Sequence, residues 1–193
     1  MENGLFACID TETTGFIAGY HNLIEIGVVP ATKRFTPFLE PFHVFIKPEN
    51  DNIEPEAMKV NGINLEELYR TGLTVNESRE AWYEWYEKYV IKNGYKVILP
   101  IGQNYAQFDS TFIQHWLKHE QFQYISRRCR DTMILALAYN DIADSLNLER
   151  PFLDVSQQTI CKTFGIPQPN AHSAIADCYT TLQIWEKLIK WNT

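Results

Sequence analysis

The chain has 193 residues, of which 45% are hydrophobic and 21% charged, which is the composition of an ordinary folded protein. The length suits a single domain with a sizeable core, so we expect residues 1–193 to form one domain. No run reaches the roughly 18 apolar residues of a membrane helix, and the N-terminus lacks the pattern of a signal peptide. We therefore expect a cytoplasmic protein without a membrane partner. The formal net charge of −7 argues against a long nucleic-acid footprint, because proteins that bind many phosphates are usually basic.

None of the four cysteines lies in a C-x-x-C pair, which gives no support to a zinc site. A disulfide framework is not expected in a reducing compartment, so we interpret the thiols as buried or incidental. They are Cys8, Cys129, Cys161 and Cys178.

The first third of the chain has the pattern of β-strands separated by turns. Three apolar runs rich in β-forming residues predict strands at 5–9, 23–29 and 42–46, and a fourth run predicts a strand at 95–101. Prolines predict the turns between the first runs, at Pro30, Pro37, Pro41 and Pro48.

The rest of the chain is mainly helical in pattern. A helix over 76–92 carries an aromatic stripe, which favours core packing over a nucleic-acid platform; the stripe is Trp82, Trp85, Tyr86 and Tyr89. A second helix over 110–118 should face inward with Phe112, Ile113, Trp116 and Leu117.

The last third predicts three more helices. One covers 132–139, and another runs from a cap at Asp154 to a stop at Gly165. The buried stripe of the final helix is predicted to be Ala174, Cys178, Leu182, Trp185 and Ile189. Strands followed by alternating strands and helices predict an α/β domain around a mixed sheet.

Two carboxylates follow the first strand. Residues i and i+2 of a strand share a face, so Asp10 and Glu12 should project together. Two adjacent carboxylates repel unless a proton or a cation separates them, and a hard divalent cation prefers such oxygen ligands. A solvated strand end explains this pair equally well when it is considered alone.

Three further residues extend this chemistry. Asp109 follows the fourth strand at the start of a helix, where a helix cap is the alternative reading. His172 lies at the entrance of the last helix and Asp177 inside it, so both can face one cavity if His172 is on the loop. Four acids and one histidine suit two-metal phosphoryl hydrolysis, in which a histidine takes a proton from the attacking water.

In this arrangement the sequence resembles the DEDDh family of 3′–5′ exonucleases. The first motif is Asp-Thr-Glu-Thr-Thr-Gly at 10–15, the second runs from Gly-Gln-Asn to Phe-Asp over 102–109, and the third is His172 with Asp177 after four intervening residues. Shorter landmarks lie between them in the same order, at 24–27, 61–63, 130–132 and 164–166. The similarity covers about residues 4 to 190.

The resemblance implies a ribonuclease H-like fold, with a mixed five-stranded central sheet flanked by helices. It implies two Mg²⁺ or Mn²⁺ ions, bridged by Asp10. Glu12 and Asp177 would complete the ion that carries the nucleophilic water, Asp109 would support the second ion, and His172 would be the base.

The resemblance also implies a set of substrate-binding residues. In the family, a bulky apolar residue after the first motif presses against the terminal bases. Here that residue is Phe16, which would otherwise pack under the turn at Gly15. The full set of expected substrate-binding residues is Thr13, Gly15, Phe16, Asn104 and Phe108.

The sequence departs from the family pattern in its second motif. Many members have a histidine where this chain has Gln103, and many have one residue fewer between Asn104 and Asp109. The expected substrate is the 3′ end of single-stranded nucleic acid, with DNA favoured over RNA, and a polymerase or replication partner is an option. The alternatives are an inert nucleic-acid-binding module with the same fold and a metal phosphatase that acts on small esters.

Overall fold

A mixed five-stranded sheet forms the centre of the computed structural model, which describes residues 3–117, 123–168 and 172–191. The strands are β1 Gly4–Thr13, β2 Leu23–Ala31, β3 Phe42–Phe45, β4 Val97–Gly102 and β5 Arg130–Asp131. Their order in the sheet is β3-β2-β1-β4-β5. β1, β2 and β3 pair antiparallel, whereas β4 runs parallel to both β1 and β5. The predicted α/β architecture with a mixed five-stranded sheet is confirmed.

Seven helices surround this sheet within the described ranges. They are α1 Pro55–Asn61, α2 Leu65–Thr71, α3 Val75–Tyr86, α4 Asp109–Trp116, α5 Thr132–Ser145, α6 Gln157–Phe164 and α7 Ala174–Ile189. A π-helical segment, Glu87–Ile91, extends α3. The start of α3 is fixed by a capping box, in which Thr74 and Glu77 satisfy each other's backbone N–H groups.

The two faces of the sheet bury different sets of side chains. On one face, alternate residues of β1 join an aromatic cluster in which Phe42 contacts Trp82, Trp85 and Trp116. On the other face, Cys8 of β1 packs with residues of α7. The aromatic stripe of α3 therefore belongs to the core, as predicted, and the four inward-facing residues expected in α4 and just after it are also buried.

Two details of the predicted helices are wrong. Asp154 does not cap α6, because its carboxylate accepts from the Ser156 N–H, while the Ser156 hydroxyl caps the helix by accepting from Thr159 N. Ile189 is 40% exposed, and Leu188 is buried instead. A spacing of four residues drifts away from a helix that repeats every 3.6 residues, so the buried stripe of α7 shifts by one position at its end.

The sequence reading also missed α1, α2 and β5. Each of these helices has seven residues and β5 has two, which is too short to show a period. The structure leaves the cysteine thiols free, and Cys8, Cys161 and Cys178 are buried. Among the described helices, none is long and apolar enough to cross a membrane.

Candidate active site

Three carboxylates meet at the carboxyl end of β1. Asp10 and Glu12 lie on this part of the strand, two residues apart, as the predicted shared face requires. Asp177 comes from the first turn of α7. One oxygen from each of these three residues lies within 4.8 Å of the other two. The predicted clustering of acids from separate segments is therefore present for these three residues.

Gly27 of β2 allows α7 to approach the sheet closely enough to deliver Asp177. A Cβ at this position would lie 2.8 Å from the carbonyl carbon of Ala174 and 2.8 Å from the backbone nitrogen of Ile175. Real Cβ atoms do not approach backbone this closely, so only glycine fits. The Cys178 thiol also reaches the Gly27 carbonyl oxygen, at 3.3 Å. The start of α7 is thus seated directly on β2, beside β1.

His172 lies on the loop that enters α7, next to the acid cluster. Its backbone N–H donates to Asp177 Oδ2 at 2.9 Å, and the Gln157 side chain donates to Asp177 Oδ1 at 2.7 Å. The residue is exposed, and its φ of 70° is in the left-handed region, which turns the chain sharply before the helix. The structure therefore places His172 on the loop, which was the condition for both residues to face one cavity.

Asp109 is buried at the first position of α4 and is not the cap of that helix. The N-cap position is Phe108, which makes no side-chain cap. Asp109 Oδ1 instead accepts a hydrogen bond of 2.6 Å from the hydroxyl of Thr11, the residue between the two acids of β1. Asp109 therefore reaches β1 through Thr11 and stands beside the three clustered carboxylates, outside the group of oxygens that lie within 4.8 Å of one another.

Burial raises the pKa values of all four acids, and neighbouring carboxylates raise them further. Burial is the largest cause at Asp10, whose pKa lies well above its ordinary value, and the charges of Asp109, Glu12 and Asp177 add to it. Burial and then the nearby Glu25 raise the pKa of Glu12 to about 8. Burial raises the pKa of Asp109 to about 7 against the opposing hydrogen bond from Thr11, and burial also raises the pKa of Asp177.

These shifts indicate what the site is built to hold. Without a cation, these carboxylates repel one another and cannot all be ionised at once. A cation bound among them stabilises their charged form. The donor atoms are all carboxylate oxygens, the ligands that hard divalent cations prefer. The residues present therefore fit divalent metal ions, with Asp10, Glu12 and Asp177 as the most closely clustered ligands.

The loop after β1 carries the first group of predicted substrate-binding residues. Phe16 is 64% exposed, which does not fit the alternative in which it packs under the turn. The chain bends at Gly15, and a Cβ there would also lie 2.4 Å from the His21 ring. The buried Thr13 hydroxyl donates to the Gly15 carbonyl oxygen at 2.6 Å. Contact between these residues and a base stays a prediction.

The second group lies on the loop between β4 and α4. Asn104 has a φ of 58°, and its backbone N–H donates to Asp131 Oδ1 at 3.1 Å. Its side-chain oxygen is buried without a hydrogen-bond partner among the described residues. Phe108 is partly buried and packs against Phe112, with ring centroids 5.1 Å apart. The substrate roles of Asn104 and Phe108 also stay predictions.

Gln103, which departs from the family pattern, has a structural role. Its side-chain amide donates to the Val155 carbonyl oxygen at 2.7 Å, and the Thr132 hydroxyl donates to its side-chain oxygen. The residue therefore ties the end of β4 to the start of α5 and to the segment before α6. The substitution leaves Asp109 at the start of α4.

Three residues at the site were not predicted as site residues. Thr11 binds Asp109, and Gln157 binds Asp177. Glu25 is 1% exposed and lies opposite Glu12 in the antiparallel pairing of β1 and β2. A carboxylate inside an otherwise apolar strand is the signal that could have found Glu25.

Glu25 connects the sheet to the loop that holds His172. Its Oε1 accepts hydrogen bonds from the His43 ring at 2.8 Å, from the Ser173 hydroxyl at 3.1 Å and from the Ala174 N–H at 3.1 Å. An anion at the first N–H groups of a helix is a favourable arrangement. Glu25 therefore anchors the start of α7, just after His172.

Comparison with known proteins shows which family this chain belongs to. A model of the RNase T exonuclease family matches residues 7–185. The 3′–5′ DNA exonuclease Cap18 of Escherichia coli is 33% identical over 112 residues, which are 58% of this chain and 56% of that protein. Ribonuclease T of Yersinia enterocolitica is 28% identical over 201 residues, with 95% of this chain and 86% of that protein aligned.

Solved structures show the same fold. Exonuclease I of Escherichia coli in complex with a dT13 oligonucleotide superposes with a TM-score of 0.75 at 18% identity, over 97% of this chain and 41% of that one. The chain thus spans about half of Cap18 and less than half of exonuclease I. These structures have a ribonuclease H-like fold, which confirms the fold expected from the motifs. On the match of the family model to most of its length, this chain belongs to the RNase T family of exonucleases.

Proposed function

We propose that this chain is a metal-dependent 3′–5′ exonuclease that releases nucleoside monophosphates from single-stranded nucleic acid. One observation carries the proposal: carboxylate oxygens of Asp10, Glu12 and Asp177 lie within 4.8 Å of one another in a site that raises their pKa values. With Asp109 beside them, the cluster suits two divalent cations, Mg²⁺ or Mn²⁺. When bound, such ions supply positive charge at the attacking and leaving oxygens of the phosphodiester.

Other side chains of the site would transfer the proton, hold the site in place and contact the substrate. His172, exposed on its loop beside Asp177, accepts the proton of the attacking water. Glu25 and Gln157 hold the loop and Asp177 in place. Phe16, exposed beside the end of β1, stacks on an unpaired terminal base, and Thr13, Gly15, Asn104 and Phe108 complete the substrate contacts.

Single-stranded DNA is the favoured substrate within this proposal. One relative is named a 3′–5′ DNA exonuclease, and exonuclease I was solved with a dT13 strand. The relatives that cover most of this chain are named ribonuclease T, so RNA belongs in every assay. A short single strand also fits an acidic protein, since the positive charge is local to bound cations.

Two alternatives have less support. A binding module that has lost turnover would be expected to lack one of the metal-binding acids, whereas Asp10, Glu12, Asp109 and Asp177 are all present with His172. A phosphatase for small esters would not need the exposed Phe16 beside its metal site. The proposal further holds that residues 1–193 act as one domain in the cytoplasm. A polymerase or replication partner remains a prediction.

A digestion panel tests the substrate. Wild-type protein with Mg²⁺ is given 5′-labelled DNA and RNA, single- and double-stranded, with each end blocked in turn, and p-nitrophenyl phosphate in parallel. The expected result is shortening of single strands from a free 3′ end, fastest on DNA, with negligible ester hydrolysis. The Asp10→Asn protein, purified in the same way, controls for a contaminating nuclease. Faster turnover of the small ester than of any oligonucleotide would support the phosphatase instead.

A further inference from the structure

The loop between β1 and β2, residues 14–22, exposes three apolar side chains next to the acid cluster. Phe16 is 64% exposed, Ile17 59% and Tyr20 54%. Because these apolar side chains are exposed, their burial does not stabilise the conformation of the loop. Other contacts must therefore hold it. Thr14 and Asn22 hydrogen bond to each other at the base of the loop, and at its tip the side chain that holds Ile17 is His21.

His21 is a buried histidine whose two ring nitrogens both have partners. The residue is 6% exposed. Its Nδ1 accepts a hydrogen bond of 3.0 Å from the backbone N–H of Ile17, so the proton of the neutral ring is on Nε2. Nε2 lies 3.1 Å from Glu54 Oε1, so the carboxylate is the close polar neighbour of this nitrogen. The backbone N–H of His21 also donates to the Ile17 carbonyl oxygen at 2.8 Å, which closes a compact turn.

Other groups around the ring fit it closely. A Cβ on Gly15 would lie 2.4 to 2.6 Å from three atoms of the His21 ring, so the absence of a side chain at Gly15 makes the space that the ring fills. The Tyr20 ring packs edge-on against it, with centroids 4.9 Å apart. Glu54, the carboxylate partner, donates its own backbone N–H to the Thr14 carbonyl oxygen at 2.7 Å.

These contacts link the tip of the loop to the end of β1. His21 accepts a hydrogen bond from Ile17, the residue next to Phe16. Glu54 contacts His21 with its carboxylate and Thr14, at the end of β1, with its backbone N–H. Rotation or loss of the ring would free the Ile17 N–H and leave a void beside Gly15. The segment that carries Phe16 would then keep the backbone bonds of its turn and the bond from Asn52 to the Tyr20 carbonyl oxygen, so Phe16 would be held less firmly relative to the carboxylates.

We propose that His21 is a positioning residue for substrate: with Glu54, it holds the Phe16 loop in the conformation that receives the terminal base of a single strand. This inference rests on the proposed exonuclease function, because it gives the loop a substrate to position. His21 is not proposed to touch the substrate. Its loss should therefore change the KM for oligonucleotide much more than kcat.

Three substitutions separate the roles of the two ring nitrogens. His21→Asn keeps an acceptor near the position of Nδ1, whereas His21→Gln keeps a donor near Nε2 and loses the acceptor for Ile17. His21→Ala removes both. The readouts are amide hydrogen exchange at Ile17, which does not depend on activity, and KM and kcat on a 5′-labelled single strand. Thermal melts show whether each variant is folded.

We expect faster Ile17 exchange in His21→Gln and His21→Ala, with KM raised about 5- to 30-fold, the effect of losing one or two hydrogen bonds. The value of kcat should stay within about 3-fold, because the carboxylates are untouched. His21→Asn should restore most of the protection and of the KM. Phe16→Ala gives the effect of losing the stacking ring completely. Tyr83→Ala removes an aromatic side chain on α3 that is 50% exposed, and it should leave KM unchanged.

A double-mutant cycle provides a second test that a merely destabilised protein would not pass. Gly15→Ala forces a methyl group into the His21 ring, so alone it should raise KM; in the His21→Ala background the ring is gone, and the added methyl should change KM little. Ile17 exchange that stays slow in His21→Gln would overturn the inference. Fast exchange with an unchanged KM would also overturn it. A wild-type protein that digests no oligonucleotide would contradict the proposed function and the substrate part of this inference, while the exchange data would still decide how the loop is held.

Discussion

Asp10 shows at the scale of one residue how the fold prepares the proposed metal site. The strand before it is apolar and central in the sheet, so the carboxyl group is carried to a partly buried position where ionisation is costly. Three more acids then surround it and raise its pKa further. An isolated acid pair on a strand end is common, and this pair differs because two buried acids, Asp109 and Asp177, lie beside it.

Removing one of these charges should separate catalysis from stability. For Asp10→Asn and Asp177→Asn we expect turnover to fall by about 100-fold or more, the usual loss for a group that stabilises transition-state charge. The metal-free Asp10→Asn protein should melt at the same or a higher temperature, because repulsion is relieved. Asp177→Asn should gain less or lose stability, because one of its two accepting oxygens becomes an NH₂ group that faces a donor. Single-turnover digestion and thermal melts in EDTA measure both. Asp141→Asn, which removes an exposed acid of α5, is the control. Wild-type turnover in the Asp10→Asn protein would show that Asp10 does not take part in catalysis.

His172 should act as a base that must be neutral. At saturating Mg²⁺, activity should fall as the solution is acidified, because a base accepts a proton only in its neutral form. His172→Ala should lose about 10²- to 10⁴-fold in rate and flatten this profile, while metal and substrate still bind. The measurement is the pH dependence of single-turnover rates. Weaker metal binding with an unchanged rate of the bound complex would make His172 a ligand.

At the scale of elements, the contact between α7 and β2 assembles the site. The first turn of α7 carries Asp177 and is preceded by His172, and it rests on Gly27 and on the Glu25 carboxylate. The start of α7 therefore acts as a rigid arm that fixes two candidate site residues, His172 and Asp177, from outside the sheet. A small displacement of this arm would move both residues away from β1 together.

Gly27→Ala tests this arm. A Cβ there would lie 2.8 Å from backbone atoms of α7, so the helix must move, and we expect at least a 10-fold loss of kcat with a lower melting temperature. Gly94→Ala is the matched control, because its φ of 81° makes alanine strained while nothing lies within 4 Å of the added methyl. That variant should lose stability but keep kcat. Equal kcat values in the two variants would show that the arm tolerates displacement.

The elements also show what can be predicted from sequence. Long periodic segments were predictable: the strands around Ile9 and Val28, the aromatic stripe of α3 and the inward face of α4 all follow from apolar spacing. Short elements were not, because α1, α2 and β5 contain too few residues for a period to appear. The cap of α6 was misassigned because two polar residues two positions apart, Asp154 and Ser156, both suit a helix start, and only backbone geometry decides between them.

The site divides in the same way. Carboxylates near strand ends and helix starts could be assigned from motifs. Asp10 and Glu12 belong to the motif at 10–15, and Asp177 follows His172 after four intervening residues. Glu25, Gln157 and His21 act through contacts between segments that are distant in sequence. Nothing local in the chain marks such contacts, apart from the unusual acid inside β2.

For the whole molecule, the acid cluster should set how stability depends on pH. The pKa of Glu12 is raised from 4.5 to about 8 in the folded protein, mainly by burial, so the folded state binds more protons than the unfolded chain across that interval. The free energy of unfolding of the metal-free protein should therefore be highest below pH 4.5 as far as Glu12 contributes, and should fall as pH rises towards 8. A net charge of −7 adds general repulsion in the same direction.

Thermal melts in EDTA between pH 5 and 8 measure this dependence. We expect the melting temperature to fall across the interval and to recover when Mg²⁺ is added, because cations favour the ionised carboxylates. Glu12→Gln should weaken the fall, which separates the site from the general charge. A melting temperature that rises with pH, or one that responds equally in Glu12→Gln, would mean that the cluster is not under electrostatic strain.

The account rests most on the claim that the clustered carboxylates hold the cations that cleave a 3′ end. The direct measurement is digestion of a 5′-labelled single-stranded DNA by wild-type protein in EDTA and after addition of Mg²⁺, Mn²⁺ or Ca²⁺. We predict no digestion in EDTA, a ladder of products shortened from the 3′ end with Mg²⁺ or Mn²⁺, and little with Ca²⁺, whose looser coordination misplaces the reacting oxygens. Full digestion in EDTA, or immediate release of the labelled 5′ nucleotide, would contradict the account.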